Sequence, residues 1–136
     1  MTDDLRALSV MQPWTWLLAA GLKDIENRDW PTHFRGRVLL HAGKRIDREA
    51  MTDLLNGRHP VTGERHSFDL PDTFETGGIV GEATIVGCAA WSSSPWFVGK
   101  FGFVIKDAKP LPFIPCKGAL GFFRPTTSQP TTTEEG

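Results

Sequence analysis

The sequence predicts a small α+β domain: a mixed β-barrel or curled sheet with two or three helices packed on it. Strand-like segments outnumber helical ones, the clear helical segments are short, and most connections run only a few residues. With 136 residues the chain suits one domain with a true core.

The first strand is "ALSVM", in which Ser9 breaks an apolar run. A helix follows in "QPWTWLLAAG". Pro13 fits its first turn, where no backbone N–H is needed; Leu17 and Leu18 share a face with Trp14, and Gly21 ends it. "KDIENRDW" is too short and polar for a helix. "GRVLLHAG" is a glycine-bounded strand. "DREAMTDLLNG" is a second helix, capped by Asp47, with Met51, Leu54 and Leu55 on one face and Gly57 as its stop. Residues 58–78 show no period and hold two prolines and three glycines, so they are expected to be a mobile binding loop or lid. "IVGEATIVGCAAW", "FGFVIKDAKPL" and "GALGFF" read as strands. The domain is expected to span 1–125, because residues 126–136 are polar, Thr-rich and too poor in apolar surface to fold.

The totals narrow the function classes. Lys plus Arg number 15 and Asp plus Glu 16, so no bulk field attracts a polyanion, and any anion site must rest on a few placed cations. No apolar run is long enough for a membrane helix, and the N-terminus lacks a signal-peptide pattern. Cys88 and Cys116 form no redox or metal motif and are expected to be reduced thiols in a cytoplasmic protein, with Cys116 beside Lys117 a candidate low-pKa thiol. The four histidines are not at metal-ligand spacings, and neither a phosphate-binding loop nor a GxSxG nucleophile motif occurs, so no metal or cofactor is expected.

Charge concentrates in residues 21–45, where nine charged side chains lie among glycines and tryptophan. If "DIENRDW" is a strand, Glu26 and Arg28 point to one face. Lys23 has the opposite parity and joins them only if the helix-to-strand turn rotates it inward. Glu26 would then hold two cations in register, and these would bind phosphate or a base carbonyl. The bland alternative is a Glu26–Arg28 pair that only ties the fold together. His41 is either a buried, hydrogen-bonded histidine or a cleft residue. Lys44 and Arg45, in a loop or helix approach after Gly43, are either phosphate contacts or ordinary surface charge, and Lys117, on a tight turn, is a candidate cation at the cleft mouth. Trp14 is placed at a helix start, where core packing is the common role, and Trp96 follows "SSSP" on a turn where an exposed ring would stack on a base.

The blocks "LSVMQPW", "GLKDIENR", "RGRVLLHAGK", "GGIVGEATIVGC", "SPWF" and "PFIPCKGALGFF", in this order from Leu8 to Arg124, resemble the ASCH domain of the PUA-like superfamily. The resemblance implies a small mixed-strand barrel with a cleft beside the GxKxxExR signature. It implies binding of RNA or other single-stranded nucleic acid; the near-neutral charge leaves a free nucleoside or nucleotide as a further ligand, and the candidate ligand contacts read from the residues are Trp14, Lys23, Glu26, Arg28, His41, Lys44, Trp96 and Lys117. Other relatives resemble amidohydrolases of N4-acylcytidines or have been linked to RNA cleavage. In that alternative Lys23 would be the base, with Glu26 or Glu82 relaying protons. The acylcytidine-cleaving relatives carry a threonine where this chain has Glu26, so water would have to attack. For the binding reading, the partner of Lys23 is expected to be mainly the ligand, with little cost to stability on its removal.

Overall fold

The structure, a computed structural model, describes residues 5–126. In chain order its elements are β1 (Arg6–Gln12), α1 (Trp14–Ala19), β2 (Ile25–Arg28), β3 (Gly36–Ile46), α2 (Arg48–Leu55), β4 (Gly78–Ala89), β5 (Phe101–Pro115) and β6 (Phe122–Phe123). They form one six-stranded sheet in the order β2-β5-β4-β3-β1-β6. β1 and β3 run parallel, and every other neighbouring pair is antiparallel.

The curl of this sheet has a local cause. The β4–β5 ladder shifts register three times, between Ile79 and Gly81, Glu82 and Thr84, and Ile85 and Gly87. Each shift adds twist and bends the strands. The result is a half-barrel with β2 at one edge and β6 at the other. The curl brings the edges near each other through side chains: Phe103 stacks on Phe122 at 5.9 Å between ring centres, and Trp30 meets Phe122 edge-on at 5.7 Å. Of the two forms expected, barrel or curled sheet, the described residues take the curled open sheet, with two helices.

The core fills the concavity. Leu8, Leu18, Val38, Leu40, Ile85 and Phe103 are wholly buried. α1 is only six residues long and is held by packing. Leu17 and Leu18 are buried, and Gly21 at φ +78° turns the chain so that the Leu22 and Lys23 amides both donate to the Leu17 carbonyl at 3.0 Å. Asp47 caps α2: its Oδ1 accepts from the Ala50 amide at 3.1 Å, while Oδ2 accepts from Trp14 Nε1 at 2.9 Å. One carboxylate thus joins the starts of both helices. α2 buries Ala50 and Leu54, whereas Leu55, expected on the same face, is 68% exposed, because the helix touches the body along a narrow stripe. The strand expected over "GALGFF" shrinks to Phe122–Phe123. The tail expectation for 126–136 falls beyond the described residues, apart from Thr126.

The expected lid is a strap. His59 is buried and lies 4.0 Å from the Trp96 ring, His66 stacks on Phe68 at 4.2 Å, and Phe74 meets Trp16 at 5.7 Å. Gln12 donates to the Glu75 carbonyl at 2.8 Å, fixing the far end. Aromatic contacts spaced along the segment hold it against α1 and Trp96 without any period, which is why no pattern announced them. No residue from 58–76 lines either of the clefts described below.

Two tests follow from this packing. A Cβ at Gly81 would stand 2.7 Å from the Ala19 Cβ and 2.9 Å from the Lys109 carbonyl oxygen, where α1 rests on β4. Gly81→Ala is expected to cost about 1–3 kcal/mol in urea unfolding. His59 Nδ1 accepts from the Val61 and Thr62 amides at 3.1 and 3.2 Å, which requires the neutral ring. Burial, helped by His66 and opposed by Glu64, lowers its pKa below the ordinary 6.5. The unfolded chain therefore binds the proton first, so the stabilisation is present above about pH 6.5 and is lost as pH falls through the lowered value. The urea midpoint should drop between pH 7.5 and pH 5, and His59→Gln should flatten that drop.

Candidate functional site

The free edge of β2 faces β1 across a seam that no backbone pairing closes among the described residues. β6 covers β1 only at Ala7 and Leu8, which leaves Ser9 to Met11 open on that side. Arg28 spans the gap: its Nη2 donates to the Ser9 carbonyl at 2.8 Å. Behind it runs a chain of charges. Lys23 Nζ lies 3.1 Å from Glu26 Oε1, and Glu26 Oε2 lies 3.2 Å from Arg28 Nε. The Arg28 Nε–H is not aimed at that oxygen, so the contact is ionic and Nε has no hydrogen-bond partner. The turn after α1 does rotate Lys23 inward, as the parity argument required.

Lys23 is only 3% exposed. Its ammonium donates to the Ile25 carbonyl as well as to Glu26 and sits 5.5 Å above the Trp14 ring. Its contacts are therefore within the chain, contrary to the expectation that the ligand would be its main partner. Glu26 and Arg28 reach the surface of the seam; Lys23 supports them from below.

Two adjoining clefts open there and share Ser9, Met11 and Arg28. The smaller, about 500 Å³, is lined by Trp14, Trp30, Glu26 and Asn27, with Val98 and Gly99 at its rim. Both indoles are half-buried. The larger, about 1140 Å³, lies over the end of β3 and the 115–121 turn, and takes in His41, Lys44, Arg45 and Lys117. Among the described residues, four cations line it, counting Arg28, and no carboxylate does.

The residues singled out in the sequence divide accordingly. Trp14, Glu26 and Arg28 line the smaller cleft; Arg28, His41, Lys44 and Lys117 line the larger. Trp96 does not stand free on a turn. It is 5% exposed, packed with Leu17, Ile25 and Leu54 and covered by the strap, because the serines before it form the turn (Ser94 Oγ accepts from the Trp96 amide) and fold the ring inward. Glu82 lies in neither cleft. It forms ion pairs with Arg37 and, at 3.3 Å, Lys109, and the Arg37 hydrogen bonds hold its carboxyl below the ordinary range. Burial pushes the Cys116 thiol up, against the expectation of an activated thiolate. Trp30 and Ser9 were missed. Trp30 was within reach, since it continues the parity of Glu26 and Arg28 by one more step. Ser9 was not, because its significance depends on what lies on the neighbouring strand.

A curled mixed sheet with an ion-paired GxKxxExR segment at its seam is the architecture that the ASCH resemblance implied. The chain belongs to the ASCH domain family: a sequence model of the ASCH domain matches residues 8–99. It is 33% identical over 82 residues to activating signal cointegrator 1 of Mus musculus and 32% identical over 82 residues to that of Homo sapiens. Each match covers 60% of this chain but only 14% of the relative. No helix among the described residues is long and apolar enough to cross a membrane.

The buried position of Lys23 generates a test. Lys23→Ala should cost about 1.5–3 kcal/mol of stability, the usual worth of hydrogen bonds to a charged group, with Glu26 still held by Arg28. Denaturant unfolding of the variant measures this. An unchanged midpoint would mean that the buried ammonium contributes nothing to the fold.

Proposed function

We propose that the seam binds single-stranded RNA, with a base between the indoles of the smaller cleft and the adjacent phosphates along the larger. The carrying observation is the division of chemistry between adjoining clefts. One offers Trp14 and Trp30 with the Glu26 carboxylate; the other offers Arg28, Lys44, Arg45 and Lys117. An unstacked base needs an aromatic face and an acceptor for its amino edge, and a phosphate needs cations. Arg28 lies on both clefts and would set the spacing between base and phosphate. ASCH domains are associated with RNA binding, which agrees with this division. We take the curled sheet to be of the PUA-like kind and the setting to be cytoplasmic, in keeping with two free cysteines. Lys23, donating to Ile25 and Glu26, is placed to position Glu26, which supports binding over a role as hydrolytic base.

Fluorescence anisotropy with a labelled single-stranded oligoribonucleotide tests the reading. With three to four phosphates neutralised, the slope of log K against log salt should be about −2 to −3. Lys44→Ala and Lys117→Ala should each weaken binding about tenfold and make that slope shallower by about 0.7. Affinity that is independent of salt, or unaffected by both substitutions, would remove the phosphate assignment. A free nucleoside that competes fully with the oligomer would move the ligand from polymer to monomer.

A further inference from the structure

Ser9 and His41 are direct partners in the parallel β1–β3 register. Ser9 Oγ lies 3.0 Å from His41 Nδ1, and His41 Nε2 lies 2.6 Å from the Cys116 carbonyl oxygen. A carbonyl oxygen can only accept, so Nε2 carries the hydrogen in the neutral ring. Nδ1 is then the lone-pair nitrogen, and the Ser9 hydroxyl donates to it. This is a nucleophile, a base, and a third group that fixes the base: the arrangement of serine acyl-transfer sites, with the ring nitrogens exchanged and a backbone carbonyl in place of the carboxylate.

A serine–histidine contact that only tied two strands together would need no open space beside it. Here both residues line the larger cleft, of about 1140 Å³. The neighbours of the hydroxyl are glycines: a Cβ on either Gly43 or Gly118 would stand 3.3 Å from Ser9 Oγ, and one on Gly118 would stand 2.6 Å from the His41 ring. Arg28, hydrogen-bonded to the Ser9 carbonyl, puts a guanidinium beside the residue where negative charge would develop.

We propose that Ser9 is an acyl-accepting nucleophile with His41 as its general base, and that the substrate is an acyl ester bearing an anionic group. Lys44, Arg45 and Lys117 along the same cleft would hold the anion, with Ala119 and Leu120 on the exposed turn at its border. In the first step Ser9 Oγ bonds to the acyl carbon while its proton passes to Nδ1. The ester C–O bond then breaks, and the leaving alkoxide takes that proton. In the second step water attacks the acyl-serine, Nδ1 takes the water proton and returns it to Oγ, and the carboxylic acid leaves. No other reactant is required. This inference does not depend on whether the seam binds RNA.

The test uses the whole chain and a fluorophosphonate probe, with intact-mass and peptide mapping of the adduct. The expected result is one adduct on Ser9, none on Ser9→Ala, and labelling at least about a hundredfold slower in His41→Gln. Thermal melts accompany both variants. If His41→Gln does not fold, the mapped site and Ser9→Ala still decide. No adduct, or one that maps elsewhere or persists in Ser9→Ala, overturns the proposal. The substrate class is read separately with 4-nitrophenyl esters. The hemisuccinate should turn over about tenfold faster than the acetate, and Lys44→Ala with Lys117→Ala should abolish the preference. Equal rates for the two esters in the parent would overturn the anionic class.

Discussion

The architecture of this domain turns on a hydrogen bond between a side chain and a backbone carbonyl. Where a closed barrel would pair β2 with β1, Arg28 reaches across and donates to Ser9 instead. A guanidinium suits the task, because its planar fork can hold a carbonyl at one end while meeting a carboxylate at the other. The seam is thereby joined without being filled. A continuous ladder would have left about 4.8 Å between strands and no room for a ligand.

That solution imposes costs that the surrounding residues meet. A cation at a half-buried seam needs a counter-charge, and Glu26 supplies it. Glu26, 7% exposed, would itself be costly if it were left with one partner, and Lys23 gives it a second. Lys23 in turn satisfies its ammonium on the Ile25 carbonyl and the face of Trp14. The charge density of residues 21–45 is thus one connected arrangement whose inner end stabilises the fold and whose outer end borders the clefts. The division also explains why the signature lysine and arginine are not equivalent. Lys23 is a support, whereas Arg28 both supports and lines the two clefts.

The clefts differ in chemistry because they draw on different parts of the chain. The indole-lined one is built from β1, the start of α1 and β2 with the residues after it, close together in sequence apart from its rim. The cationic one joins the end of β3 to the 115–121 turn, and the two come together because β4 and β5 bring that turn back beside β3. His41 makes this junction covalently distant but spatially tight, bonded to Ser9 on one side and the Cys116 carbonyl on the other. The strap over 58–76, in contrast, packs against Trp96 and α1 and lines neither cleft.

Local order determined much of what could be read without coordinates. Short apolar runs bounded by glycine placed strands, Asp47 and Gly21 bounded the helices, and the parity of Glu26 and Arg28 put them on one face, because these are properties of a few neighbouring residues and fixed backbone periods. Lys23 joined them as the turn argument required. The limits appear wherever a side chain's role depends on a distant strand. Trp96 read as exposed because its own neighbours are polar, and it is buried because residues 59–68 fold over it. Glu82 read as a cleft carboxylate, and it faces Arg37 and Lys109 instead because of its register with β3 and β5. Ser9 carried no signal at all until the parallel register of β1 and β3 set it beside His41. The sequence by itself determined the elements and the family; the curl, the open seam and the pairing of Ser9 with His41 were decided by tertiary structure, since contacts between residues far apart in the chain follow from sheet order and register and have no local pattern.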